Sequence, residues 1–436
     1  MSVSRQFIKY VSQNILGMIG ISAYILADTV FISRAEGANG ITALNLVLPV
    51  YSLIFAIGAM IGVGSATRFK IMKARGEKKA DSYFSNALLW AFFIGGIFLM
   101  LGIFAPDKIV KLLGGDAEII AVGTDYTHAF MLFSPFFMWN HIMNAFVRND
   151  DDPGLAMLAT LSSSLFNIVL DYILMFPCKL GMTGAALATG CSPIVGILIC
   201  SLHFLKKENN QIKFIWKLPS VKLLAESCQL GVSAFVGEIS SGVTTMVFNM
   251  LILRLAGNIG VAAYGVVANT ALVAVAVFNG VSQGAQPLIS EYYGAGKKEA
   301  VQKLLRMSVL TAFGAAVVLL GVVWGVTDTI VEIFNSEHSV EMAAYAKQGL
   351  RLYFIGFLFA GYNIVGTGYF SATEKAKSAF LSSISRGFIM IILSAVLLAV
   401  IFGMTGVWLA FPTAEAITSL LVTWCLRRVA KRAYHQ

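Results

Sequence analysis

Apolar runs of about twenty to thirty residues recur along the chain, each closed by a short polar break, near residues 11-33, 41-67, 84-105, 122-147, 155-177, 185-205, 228-253, 261-288, 306-327, 344-371, 377-402 and 406-428. A helix needs about 20 apolar residues to cross roughly 30 Å of hydrocarbon, so the pattern predicts twelve transmembrane helices. The pattern speaks against a β-barrel, because the runs are about twice the length of a barrel strand and lack strict alternation. The expected fold class is therefore all-α membrane protein, with no room among the 436 residues for a sizeable soluble domain.

The two halves of the pattern repeat. At an offset of 220 residues Gly17 meets Gly237, Arg34 meets Arg254, Gly37 meets Gly257, Gly64 meets Gly284, Gly76 meets Gly296 and Lys78 meets Lys298. Asp107 and Ile109 match Asp328 and Ile330 at 221, and Gly181-Met182-Thr183-Gly184 recurs as Gly403-Met404-Thr405-Gly406 at 222. Each repeat holds six spans, an even number, so both halves enter the membrane in the same direction about an axis along its normal. The expected organisation is an N-terminal six-helix lobe (1-205), a basic cytoplasmic linker (206-226) and a C-terminal six-helix lobe (227-436), facing each other across a cleft. For residues 213-226 two readings stay open, an interfacial helix and a loop. Pro49, Pro135, Pro193, Pro287 and Pro412 fall inside predicted helices, where a missing amide donor frees a carbonyl and permits a bend.

Composition agrees with the pattern: 57% of residues are apolar, 13% are charged and the mean hydropathy is +0.77. The net charge of +9 concerns topology and lipid rather than nucleic acid, because the basic residues lie between apolar runs and form no aromatic-interleaved patch. Alternate loops carry 24 of the 32 basic residues, from Arg5 and Lys9 through Arg68–Lys79, Arg148, Lys206–Lys222, Lys297–Arg306 and Lys375–Lys377 to Arg427–Arg432. By the positive-inside rule both termini are cytoplasmic, and a bacterial inner (plasma) membrane is the expected location. Cys178, Cys191, Cys200, Cys228 and Cys425 show neither metal spacing nor a pairing set. The first run lacks a small-residue cleavage site and reads as a retained span.

Charge inside hydrocarbon is the informative chemistry, since an ionised side chain at mid-helix costs about 2.5–3.5 kcal/mol on insertion scales. Asp28 on the first helix and Asp171 on the fifth each sit about five residues, roughly 8 Å, from the outer end. Asn167 shares the face of Asp171 one turn away, and Thr189 reaches a similar depth on the sixth helix. This all-oxygen set suits Na⁺, with Asp28 and Asp171 as the metal ligands, or a shared proton, because two poorly solvated carboxylates resist carrying two charges. Plain helix–helix hydrogen bonding is the competing reading. In the second lobe Glu238 and Glu415 are the acids at depth, either for a cationic substrate or in ion pairs with Arg351 or Arg386. His141 is a candidate proton shuttle or a packed polar residue. Asp150-Asp151-Asp152 reads as a solvated loop opening the fifth helix. No zinc spacing, nucleophile elbow or phosphate loop is present, so no enzyme and no cofactor are expected, and energy must come from an ion gradient or from another chain.

The chain resembles the multidrug and toxic compound extrusion (MATE) family, in its prokaryotic DinF- and MepA-like branch. Ala27-Asp28-Thr29-Val30-Phe31-Ile32, Gly62-Val63-Gly64 followed by Gly76, Asn167-Ile168-Val169-Leu170-Asp171, and the returning glycines Gly280, Gly284, Gly294 and Gly296 carry the likeness. The resemblance implies that Asp28, Asn167, Asp171 and Thr189 form a first-lobe cation site bordered by Tyr24 and Asn144, and that Glu415 matches a glutamate of MepA-like members. It implies an H⁺- or Na⁺-coupled antiporter that exports amphipathic, cationic small molecules by alternating access, working as a monomer among membrane lipids. Gln13 and Ser233 stand where the family has prolines, so a proline-assisted bend of the first helix does not carry over; the family's second-lobe aspartate on helix ten is also missing. The rival readings are a flippase of lipid-linked precursors, which needs a deep basic cavity, and a membrane-embedded enzyme.

Overall fold

The computed structural model describes residues 2–114, 117–205, 210–335 and 338–434, which form helices and connections without a strand. The first lobe holds α1 (Val3–Glu36) and α2 (Ala43–Ala74), α3 (Asp81–Phe104), α4 (117–149), α5 (Pro153–Met175) and α6 (Gly181–Ser201). The second holds α7 (221–256) and α8 (258–294), which meet at the non-helical Gly257, then α9 (Lys298–Gly325) and α10 (Val340–Ala372). It closes with α11 (376–402) and α12 (404–434), which meet at the non-helical Gly403. Nine apolar helical stretches long enough to cross a membrane lie among the described residues. Two of them double back at Gly257 and Gly403, and α4 adds a crossing, which yields the twelve expected spans.

Local chemistry explains the breaks. Helical backbone is continuous from Val3 to Ala74, yet the Tyr24 and Tyr51 hydroxyls are 3.5 Å apart across 27 residues, where a straight helix would separate them by about 40 Å. The chain therefore reverses between α1 and α2. In α4 the helices Ala117–Leu132 and Ser134–Asn149 meet at Phe133. Pro135 has no amide to give the Met131 carbonyl, and the Ser134 hydroxyl donates to it instead at 2.7 Å.

The repeat is visible in backbone conformation. Gly76 and Gly296 have φ of 74° and 72°, and Gly181 and Gly403 have 49° and 57°, a region that favours glycine. The short helices Pro106–Leu112 and Thr327–Phe334 occupy matching places. Each lobe has its own apolar core, except that Phe7, Tyr10 and Val11 of α1 join the core of the second lobe. In the linker, residues 210–220 form no helix and α7 begins at Val221; Lys206 and Lys207 lie outside the described residues.

Among the described residues, every polar contact between the lobes lies on the face that carries Arg5, Lys70 and Arg75, here termed the basic face. Thr67 accepts from Gln286 at 3.1 Å, and Gln6 accepts from Tyr292 at 3.1 Å. Lys70 pairs with Glu291 at 3.0 Å, and Arg68 and Arg75 both bind Glu374. The repeat-related glycines make the close approach possible: a Cβ on Gly64 would stand 2.0 Å from the Ser227 carbonyl oxygen, and one on Gly284 2.7 Å from the Val11 Cα. The seal reaches inward to Ile15 against Gly280. Further from the basic face, a Cβ on Gly237 or Gly242 would meet nothing within 4 Å, as expected where the lobes part.

The Asp150-Asp151-Asp152 turn departs from the solvated loop expected of it. Asp150 is buried and accepts from His203 Nε2 and the Gln211 amide, both at 2.8 Å. Asp151 accepts from Tyr10 and Lys70 at 2.8 Å, and Asp152 caps α5 through the Leu155 amide at 3.3 Å. The partners are 61 to 141 residues away for Tyr10, Lys70 and Gln211, which is why local sequence did not reveal them.

Candidate cation site

The first-lobe acids meet where α1 lies against α5. Gly17 and Gly20 present no side chain toward Thr160, Leu161 and Ser164, and a Cβ on Gly20 would fall 2.6 Å from the Leu161 side chain, so the two helices run close together below the acids. Asn167 and Asp171, four residues apart on α5, share a face and are 1% and 0% exposed; Thr189 of α6 is 6% exposed. Asp28 of α1 is half-buried. Its carboxyl and that of Asp171 lie within each other's electrostatic field.

The hydrogen-bond inventory of this cluster is unbalanced. The Asn167 amide donates to Thr189 Oγ1 at 3.4 Å. Asp28 Oδ1, both carboxyl oxygens of Asp171 and Asn167 Oδ1 are buried without a hydrogen-bond partner among the described residues. A buried acceptor left unmatched costs about 1–3 kcal/mol, more if charged, and a fold normally avoids it. Two carboxyls and an amide thus leave four buried oxygens unmatched, and carboxylate and carbonyl oxygens are the ligand types that suit a proton or a hard cation.

Aromatic hydroxyls surround the pair. Tyr24, Tyr51 and Tyr126 all lie within the electrostatic field of Asp28, and Tyr24 and Tyr126 within that of Asp171. Tyr51 is held by rings: Phe55 stacks on it at 4.2 Å between centroids and Phe130 lies at 4.8 Å. Tyr51 and Tyr126 carry no charge that would mark them in an apolar run. The available signal was the i, i+4 spacing of Tyr51–Phe55 and Tyr126–Phe130, which also fits ordinary core.

The other candidates fall elsewhere. Glu238 of α7 is exposed yet surrounded by protein at distance, and its charge acts on Tyr24 of the opposite lobe, so it faces the cleft. Asn144 donates to the Ala156 carbonyl at 3.2 Å and Thr160 Oγ1 at 2.8 Å, eleven residues or about 16 Å along α5 from Asp171. His141 is packed edge-on against Phe55 at 5.1 Å and against Gly58 and Gly62. Glu415 of α12, 2% exposed, accepts from Arg386 Nε at 3.0 Å and NH2 at 2.8 Å and from Asn363 at 2.7 Å. Arg386 sits in a five-residue π-helical turn, Ser385–Ile389. Of the two readings of Glu415, the geometry is that of an ion pair. Phe248, the repeat partner of Asp28, is fully buried and stacks on Tyr264 at 5.3 Å.

A family model described as MatE matches residues 14–173 and 234–396. The multidrug export protein MepA of Staphylococcus aureus (strain NCTC 8325 / PS 47) is 29% identical over 416 residues, covering 93% of this chain and 90% of that protein. MepA of Staphylococcus saprophyticus is 27% identical over 414 residues, with the same coverage. Among solved structures, an outward-facing multidrug resistance MATE family transporter of the MOP superfamily aligns with a TM-score of 0.92 at 19% identity, covering 99% of this chain and 97% of that one. A MOP superfamily transporter from Pyrococcus furiosus, described as having a binding pocket of reverse polarity, aligns with a TM-score of 0.90 at 19% identity, covering 99% and 96%.

Proposed function

The chain belongs to the MatE family, and on that premise we propose that it is a multidrug exporter in which H⁺ or Na⁺, bound at Asp28, Asp171, Asn167 and Thr189, drives an amphipathic cation out of the cell. The observation that carries this reading is the buried carboxyl pair with unmatched oxygens at the α1–α5 contact. In the conformation described, the lobes are joined on the basic face and part beyond Ile15, so the cleft bordered by Tyr24 and Glu238 opens away from that face. With the basic face cytoplasmic, this is the outward-open form.

The energetics are of suitable size. Two unit charges about 4 Å apart repel by about 4 kcal/mol at an effective dielectric of 20. Moving a two-state equilibrium from 1:99 to 99:1 takes about 5.5 kcal/mol of differential binding. A cation that quenches the repulsion in one form more than in the other supplies most of that difference, provided it binds the two forms unequally. Loading the pair from outside then favours a rearrangement of α1 against α5 that releases the drug, and Glu238 offers the drug's positive charge a counter-ion across the cleft. A lipid-linked precursor flippase fits less well. The half-buried Arg386 is bound to Glu415 and the buried Arg148 donates to Asn14 at 3.2 Å beside the basic face, so neither forms a basic cavity for pyrophosphate.

Ethidium efflux from cells producing equal amounts of each variant tests the reading. Asp28→Asn and Asp171→Asn should each lose gradient-dependent efflux while remaining folded in the membrane. Wild-type efflux by both variants would refute the assignment.

A further inference from the structure

Between the linker and the start of α3 lies a groove that takes no part in the scheme above. The Ile215 amide donates to Ser85 Oγ and the Ser220 amide to Asn86 Oδ1, both at 2.6 Å, and the Trp90 indole donates to the Ser220 carbonyl at 3.3 Å. These bonds hold the linker against α3 and leave a space of about 300 Å³, bordered by Lys79, Lys217, Lys222 and Ser82 and by no acidic residue. Lys79 shares its charge with Glu226 at 2.9 Å. Lys217 and Lys222 are exposed, and neither forms an ion pair among the described residues. Burial of the linker therefore accounts for the serine and the asparagine, but not for the two lysines.

The surface beyond the groove identifies the chemistry. From Ser82 at the groove, α3 leads to the exposed Phe92 and Phe93, 52% and 50% exposed, ten and eleven residues or about 16 Å further along the helix, roughly the depth of one leaflet; in a membrane-spanning helix such a surface meets acyl chains. The linker adds Trp216 and Leu218, exposed by 85% and 93%, on either side of Lys217, the aromatic and basic pairing found at headgroup level. A basic groove thus stands at the end of a lipid-facing apolar surface.

We propose that this groove binds the phosphate of an anionic phospholipid whose acyl chains run along the exposed face of α3. Lys217 and Lys222 supply the charge, Ser82 a hydroxyl donor, and Trp216 the interfacial anchor. Free phosphate has the same headgroup chemistry but no use for Trp216 and Leu218, exposed on either side of Lys217, which is why the assignment is to lipid.

Native mass spectrometry of the detergent-purified full-length protein, mixed with phosphatidylglycerol or phosphatidylcholine, tests this. Wild type should retain phosphatidylglycerol preferentially. At roughly five-fold per lysine, Lys217→Gln with Lys222→Gln should cut that preference about thirty-fold, and the Lys→Arg pair should keep it. Equal retention of the two lipids by wild type, or an unchanged preference in the glutamine pair, overturns the proposal. A second measurement needs no variant: in lipid nanodiscs, phosphatidylglycerol should shield Lys217 and Lys222 from acetylation more than it shields Lys9 and Lys303 of the same face. Uniform shielding overturns the site, and equal shielding by inorganic phosphate overturns the assignment to lipid.

Discussion

Asp28 and Asp171 are the residues on which the functional reading rests, and their replacement separates function from fold. Asn at either position removes a charge that the apolar surroundings disfavour, so the thermal midpoint in detergent should stay level or rise while ethidium efflux falls at least about ten-fold, the size of a 1.4 kcal/mol loss in coupling. Glu415 behaves in the opposite way. Glu415→Gln leaves the Arg386 guanidinium, 22% exposed, without its counter-charge, and removing one member of such a pair costs about 3 kcal/mol. The expected result is a clear drop in thermal midpoint with efflux per folded molecule retained; the reverse pattern makes Glu415 a substrate ligand. The first-lobe set was legible because a carboxylate in hydrocarbon is expensive and an i, i+4 amide shares its face. Tyr51 and Tyr126 were not, since a tyrosine in a membrane helix has too many ordinary uses. Sequence left Glu415 between two roles because a partner 29 residues away cannot be read from spacing.

At the level of helices, the repeat places its glycines where the lobes touch. Gly284→Leu introduces bulk where even a Cβ would lie 2.7 Å from the Val11 backbone, and it should wedge α8 from α1 on the basic face. Spin labels at positions 78 and 298 should then report a longer or broader distance distribution, whereas the same change at Gly314, which faces open space, should leave it unaltered. Glu374→Gln tests the polar part of the seal. Arg68 and Arg75 lose their shared acid, and the same label pair should show an increased population of separated lobes, most clearly at low salt where exposed charges are least screened. Six spans per lobe and the reversals at Gly257 and Gly403 followed from run length and repeated glycines. The break in α4 was only hinted at by Pro135, and the Asp150-Asp151-Asp152 hub was hidden because its partners come from α1, α2 and the linker.

In the whole molecule, two related lobes differ in one respect: the first carries the Asp28 and Asp171 carboxyl pair, while the place equivalent to Asp28 in the second is the aromatic core around Phe248, Tyr264 and Tyr353. On the proposed reading, this asymmetry places ion sensing in one half of a pseudo-symmetric frame. The direct measurement is ion flux in proteoliposomes under an imposed substrate gradient, with internal pH and internal Na⁺ recorded in parallel for wild type and for Asp28→Asn with Asp171→Asn. Wild type should move one of the two ions against the substrate, and the double variant neither. Substrate-driven ion movement of wild-type size in the double variant would contradict the account.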